Sequence, residues 1–133
     1  MSTPLVVRVY YEDTDSGGVV YYANYLKYLE RARTELLREL GFAQRQLAEE
    51  TGLAFAVRSL AVEYLKPARL DDLVEVVTVV EDLGRAQVKF AQSIRRAEDT
   101  LVTAAVRVAC LDLAKGRAAA IPKPIYEKLK ELI

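Results

Sequence analysis

The 133-residue chain contains no histidine, no tryptophan, one methionine and one cysteine. Without an imidazole there is no Ser-His-Asp triad, no Cys-His dyad and no imidazole metal site. Proton transfer must then fall to Asp, Glu, Tyr, Lys or the backbone. The lone Cys110 excludes an intrachain disulfide and a cysteine-based zinc cluster. Its neighbours Val106, Val108 and Leu111 are apolar, which predicts a buried structural thiol. No excess of one charge exists either, since 19 Lys and Arg balance 19 Asp and Glu. That balance argues against nucleic acid or an anionic membrane as a partner. No apolar run approaches the ~18 residues of a membrane span, and no basic start leads into an apolar stretch with a small-residue cleavage site. A soluble, cytoplasmic protein without membrane insertion is expected.

What is present is a globular mixture, 52% hydrophobic and 29% charged. The length suits one domain over residues 1–133, with enough buried surface for a core. Leu5 to Tyr11, rich in Val and Tyr, predicts a strand. Glu12 to Gly18 gathers Asp, Thr, Ser and two Gly into a loop. From Tyr22 to Leu40 the spacing turns helical, with Tyr25, Leu29, Ala32, Leu36 and Leu40 on one stripe, widened by Leu26 and Leu37. Arg31 and Glu35 are spaced as an i,i+4 pair, and Gly41 marks the stop. A shorter helix from Ala43 to Glu50 follows.

The period then drops to two over Ala54 to Lys66, Leu73 to Asp82, Arg85 to Arg96 and Thr100 to Asp112. In the third segment Ala86, Val88, Phe90 and Ile94 share one face, and Gln87, Lys89, Ser93 and Arg95 the other. Connectors this short predict antiparallel neighbours. Lys115-Gly116 is a further turn, and Pro124 opens a terminal helix over Ile125 to Leu132. The class is therefore α+β: a long central helix wrapped by a curved antiparallel sheet of about five strands. Exposed edges of such a sheet are best managed by joining two copies, so a homo-oligomer is expected.

Chemistry concentrates between Tyr10 and Tyr25, an acidic loop leading from the first strand into the longest helix. Unpaired N–H groups at a helix start can polarise a carbonyl oxygen as an oxyanion hole does. A carboxylate from the loop can then act on the carbonyl carbon or on a water beside it. Gly17 and Gly18 allow a sharp turn and a close ligand approach.

The string from Tyr11 through Asp13, Asp15, Gly17-Gly18-Val19-Val20 and Tyr21 to Tyr25, followed by Glu30-Arg31-Ala32-Arg33, resembles the signature of hotdog-fold acyl-CoA thioesterases. It is most similar to the Tol-Pal-associated branch of the 4-hydroxybenzoyl-CoA thioesterase family, and the similarity continues through Val62 to Asp72. The resemblance implies hydrolysis of an acyl-CoA to a free acid and CoA, in homodimers or homotetramers with sites near subunit interfaces. It implies no metal and no bound organic cofactor, CoA being part of the substrate.

On the same resemblance Asp15 is the catalytic carboxylate, as nucleophile or general base; the alternative is that it merely caps a turn. Asp13 is read as a turn or supporting residue. The oxyanion donor aligns with the backbone N–H of Tyr22, where related sequences commonly carry His. Tyr11 is expected to line the pocket or pack in the core, and Gly17, Gly18 and Val19 to contact substrate. Arg85 and Arg117 resemble phosphate-contacting arginines, though both also suit solvated turns. Two other readings stay open: acyl carrier protein as the acyl donor, or a non-catalytic protein that binds acyl-CoA or a partner.

Overall fold

The computed structural model describes residues 3–133, so that Met1 and Ser2 fall outside it. The elements run β1 (Leu5–Arg8), α1 (Asn24–Glu39), α2 (Gln44–Thr51), β2 (Leu53–Tyr64), β3 (Leu73–Leu83), β4 (Gln87–Arg96), β5 (Asp99–Asp112), β6 (Arg117–Ala118) and α3 (Lys123–Lys130), with a 3₁₀ turn at Tyr11–Asp13. The strands pair in the order β1-β3-β4-β5-β2, all antiparallel, and the two-residue β6 pairs with the end of β5. Helix α1 packs against β3 and β1. This is the helix-on-curved-sheet arrangement expected of the hotdog fold.

The first strand ends three residues early because the chain is diverted. Asp13 Oδ2 accepts from the Tyr10 N–H at 2.8 Å, and the 3₁₀ turn follows. The long helix likewise starts two residues late. Tyr21 to Asn24 form a turn in which the Asn24 N–H donates to Tyr21 O at 2.8 Å. Its end is closed by Gly41 at φ +97°: the Gly41 and Phe42 N–H groups reach Arg38 O and Leu37 O, a Schellman closure open to glycine at little cost.

Tyr25, Tyr28, Leu29, Ala32, Leu36 and Leu37 form the buried side of α1; Tyr28 joins the expected stripe, and Leu40 is only half-buried. Glu35 pairs with Arg38 instead of Arg31, whose guanidinium lies 6.0 Å from the Tyr28 ring centre. On β4, Val88, Phe90 and Ile94 face the core as expected, together with Gln92. Gln92 satisfies its amide there by donating to Leu29 O at 3.0 Å and Thr78 Oγ1 at 2.9 Å. Cys110 is fully buried, and burial pushes its thiol above the ordinary value.

One connector departs from the expectation of neighbouring strands. Residues 67–72 join β2 to β3, yet these two strands lie at separate places in the sheet, β2 beside β5 and β3 between β1 and β4. Hydrogen bonds to the β4–β5 hairpin hold the crossing. Leu65 and Lys66 N–H donate to Leu101 O, while Arg96 Nη1 reaches Pro67 O at 3.2 Å and Asp72 Oδ2 at 2.7 Å.

Because β2 is an edge strand, its core side is only partly covered. Tyr64, Val62, Leu60, Val57 and Phe55 lie opposite the core-facing Val102, Ala104, Val106, Val108 and Cys110 of β5. Yet Val57, Leu60 and Tyr64 are 50%, 41% and 46% exposed. Among the described residues no helix is long and apolar enough to cross a membrane.

The crossing gives a pH signature. Partial burial alone would raise the Asp72 carboxyl, but the Arg69 N–H and the Arg96 guanidinium outweigh it and hold it below the usual range. A depressed carboxyl contributes stability above its unfolded value of about 3.9 and loses it as pH falls through the lower folded value. Urea midpoints should therefore drop more for wild type than for Asp72→Asn between about pH 5 and about pH 2. Parallel acid profiles for the two proteins would contradict this.

Candidate active site

The acidic loop is a tight reversal pinned at its base. Thr14 bridges to Val20, and Val19 bridges to Arg69 in the crossing connector. The Asp15 N–H donates to Val19 O at 2.9 Å and the Gly18 N–H returns to Asp15 O at 3.1 Å. Gly18 takes φ +76°, a conformation that costs a side-chain-bearing residue roughly 1–2 kcal/mol. The exposed Asp15 side chain accepts the Gly17 N–H through Oδ1 at 2.8 Å, and Oδ2 has no partner among the described residues. A Cβ on Gly17 would lie 3.2 Å from that same Oδ1.

Below the loop, the Asp13 backbone oxygen accepts from both the Tyr21 N–H, at 2.9 Å, and Asn24 Nδ2, at 2.8 Å. This fixes the turn into α1 and leaves the Tyr22 and Ala23 N–H groups without an acceptor among the described residues. Asp13 is thus the supporting residue that was expected.

Tyr22 is exposed and stands in an aromatic group. Its ring lies 4.9 Å from Tyr21 and 6.1 Å, edge-on, from Tyr64, which is 5.6 Å from Tyr25. The Tyr22 hydroxyl beside it raises the Tyr21 phenol above its ordinary value. Tyr25 accepts the Ala68 N–H at 2.9 Å, and burial raises its phenol too. Val20, Tyr22, Tyr25, Tyr64, Leu65 and Pro67 line an open hollow of about 240 Å³. Tyr64 was quoted within the Val62 to Asp72 string without a site role, and only the crossing connector shows that it meets Tyr22.

The other expected residues scatter. Tyr11 is 81% exposed and so does not pack in the core; it lines a separate depression with Tyr10, Glu12, Leu70 and Asp71. Arg85 and Arg117 are both exposed, at the same end of the sheet, where β3 turns into β4 and β6 meets β5. The Asp15 loop sits at the opposite end, beyond the length of β4, roughly 30 Å at ~3.3 Å per residue. Among the described residues no group of three or more His, Cys, Asp or Glu could hold a metal ion.

Comparison with known proteins places this geometry. The family model described as the thioesterase superfamily matches residues 17–103, more than half of the chain. The chain belongs to the thioesterase superfamily. The match begins two residues after Asp15 and includes Gly18, Tyr22, Tyr64 and Arg85. This thioesterase is 52% identical over 119 residues to the acyl-CoA thioesterase YbgC of Haemophilus influenzae, covering 90% of this chain and 88% of that protein. It is 48% identical over 126 residues to the acyl-CoA thioester hydrolase YbgC of Escherichia coli O157:H7, covering 94% and 93%. A crystal structure of a probable thioesterase from Bartonella henselae superposes with a TM-score of 0.85 at 37% identity, covering 90% of this chain and 98% of that one. The hotdog fold expected from the sequence is thereby borne out.

The loop's demand for glycine is testable. Gly18→Ala meets no steric obstacle, so its cost is backbone strain alone. Chemical denaturation should show the thioesterase destabilised by about 1 kcal/mol. A neutral result would mean that the loop relaxes out of the left-handed conformation.

Proposed function

We propose that this thioesterase hydrolyses acyl-CoA thioesters, water and thioester giving a carboxylic acid and CoA. The observation that carries the reading is the pairing of an exposed carboxylate, Asp15, with two acceptor-free N–H groups, Tyr22 and Ala23, across one pinned turn. The 52% identity to an acyl-CoA thioesterase supplies the acyl donor. A thioester carbonyl needs little further activation, because its carbon is already electrophilic and a thiolate leaves readily. The two N–H groups would accept the developing oxyanion. Asp15 would either attack the carbonyl carbon, giving a mixed anhydride that water cleaves, or draw a proton from the attacking water. The ring of Tyr22 stands where related sequences commonly carry His, and its backbone donor is independent of that change.

Two copies complete the site. The uncovered core side of β2 calls for a second sheet edge, and antiparallel pairing of β2 with itself would cover Val57, Leu60 and Tyr64. It would also bring elements of one copy toward the Asp15 loop of the other. Arg85 and Arg117, too far from Asp15 within one chain, would serve CoA phosphates only from such a neighbour. Carrier-borne acyl groups are the competing donor, separated by comparing one acyl group on CoA and on acyl carrier protein.

Thiol release from a panel of acyl-CoAs tests the assignment. Asp15→Asn should lower kcat by about 100-fold or more while leaving the circular dichroism spectrum unchanged; an unaltered rate removes Asp15 from the chemistry. Sedimentation should show wild type as a dimer or a larger even oligomer, and Leu60→Asp as a monomer with little activity. A monomeric wild type that still releases thiol would refute the shared site.

A further inference from the structure

A second cavity is lined by none of the residues of the Asp15 loop. It holds about 110 Å³ between the second half of α1 and the sheet. Leu37, Phe55, Val88, Phe90 and Val108 form apolar walls. Glu30, Arg33, Thr34 and Gln44 close one side. Val57, half exposed on the core side of the uncovered β2 edge, also lines it.

Arg33 sets the character of this cavity. Its guanidinium donates through Nη1 to Gln92 Oε1 at 3.0 Å, and Gln92 is itself held by Leu29 O and Thr78 Oγ1. It makes no other hydrogen bond and no ion pair among the described residues. Burial lowers its ordinarily high pKa, and Glu30 only partly offsets this. Thr34 accepts from Gln44 Nε2 at 2.9 Å, so its own hydroxyl proton remains available to donate. The cavity is therefore short, with apolar walls and hydrogen-bond donors on one side. Apolar chains entering it would strip water from Arg33 and return nothing; an oxygen acceptor would pair with it.

We propose that this cavity is the acyl-end subsite, and that Arg33 selects short acyl groups whose far end carries an oxygen acceptor. The proposal rests on acyl-CoA hydrolysis and on β2 edge pairing. Matching the exposed stretch 57–65 antiparallel to itself would set Val57, which lines the cavity, against the Tyr64–Leu65 end of the second copy, where that copy's Tyr22 hollow lies. The chain supplying Arg33 is thus not the chain supplying Asp15. At roughly 30 Å³ per non-hydrogen atom the cavity takes about four such atoms, the end of a four- or five-carbon acyl group. A terminal carboxylate and a terminal hydroxyl share the required acceptor. Glu30 repels the former and accepts from the latter, so their ratio reads Glu30's share.

The test compares kcat/KM for succinyl-CoA, 4-hydroxybutyryl-CoA and the apolar pentanoyl-CoA. Wild type should favour at least one oxygen-ended substrate over pentanoyl-CoA by about tenfold or more. Arg33→Leu should abolish that preference while still hydrolysing pentanoyl-CoA, and Arg33→Lys should restore part of it. Gln92 would lose its partner in Arg33→Leu, so Arg33→Leu with Gln92→Leu provides a second, fully apolar comparison. Mixing Asp15→Asn with Arg33→Leu and letting subunits exchange should leave about a quarter of the sites intact, since half the dimers carry one, and should restore about half of the wild-type preference, because Arg33→Leu homodimers add an unselective quarter. An absent preference in wild type, one unchanged by both Arg33→Leu variants, or no restored preference on mixing would overturn the proposal. Calorimetric binding of succinate, 4-hydroxybutyrate and pentanoate separates failure of the hydrolysis reading. If no thioester is cleaved yet an oxygen-ended acid binds through Arg33, the subsite stands alone; if none binds preferentially, the subsite is wrong as well.

Discussion

One backbone oxygen organises the end of this protein that carries the Asp15 loop. Asp13 O accepts two hydrogen bonds, one from the Tyr21 amide and one from the Asn24 side chain. A carbonyl that accepts twice cannot easily move without stranding both donors. It therefore holds the loop before it and the helix after it in one relation. The same grip decides that α1 begins at Asn24 and that Tyr22 and Ala23 stay outside it with their N–H groups open. The proposed oxyanion donors are thus a consequence of where the helix is prevented from starting.

The crossing connector plays the complementary part. It carries Ala68 N–H to Tyr25, Arg69 to Val19 and Pro67 O to Arg96, tying the loop, the helix and the β4–β5 hairpin at one corner. Sheet curvature makes this feasible, since β2 and β3 must approach at their ends while remaining separated by other strands along their lengths. The cost is an edge strand whose core side the single helix does not cover, and the partner copy proposed above answers that cost. Fold, site and oligomer would then share one cause.

Much of this was legible in the residues, and the exceptions have physical reasons. Alternation and helical spacing located all the main elements within two or three residues, because burial enforces period and period is visible. Cys110 could be placed in the core from its neighbours alone. What alternation could not show was pairing between distant strands, and so the crossing at residues 67–72 was misread as an ordinary antiparallel connector. Gln92 on the buried face of β4 interrupts an otherwise apolar pattern, and its partners lie 14 and 63 residues away in sequence. Arg85 and Arg117 fell next to turns as expected, yet their separation from Asp15 depends on which end of the sheet each turn occupies. Arg33 was visible only as the close of a motif; its meaning came from the cavity beside it.

The buried thiol has a practical side. Cys110 sits near the end of β5, opposite Phe55 on β2, with its sulfur 3.8 Å from Ala120 O and no exposed surface. A thiolate is the reactive form, and burial opposes its formation. The folded protein therefore stays silent toward disulfide reagents, so thiol appearing in solution belongs to substrate. Once β2 or the β6 segment peels away, the same sulfur becomes reactive. The chain carries its own reporter of opening at the strand on which dimer formation would bear most directly.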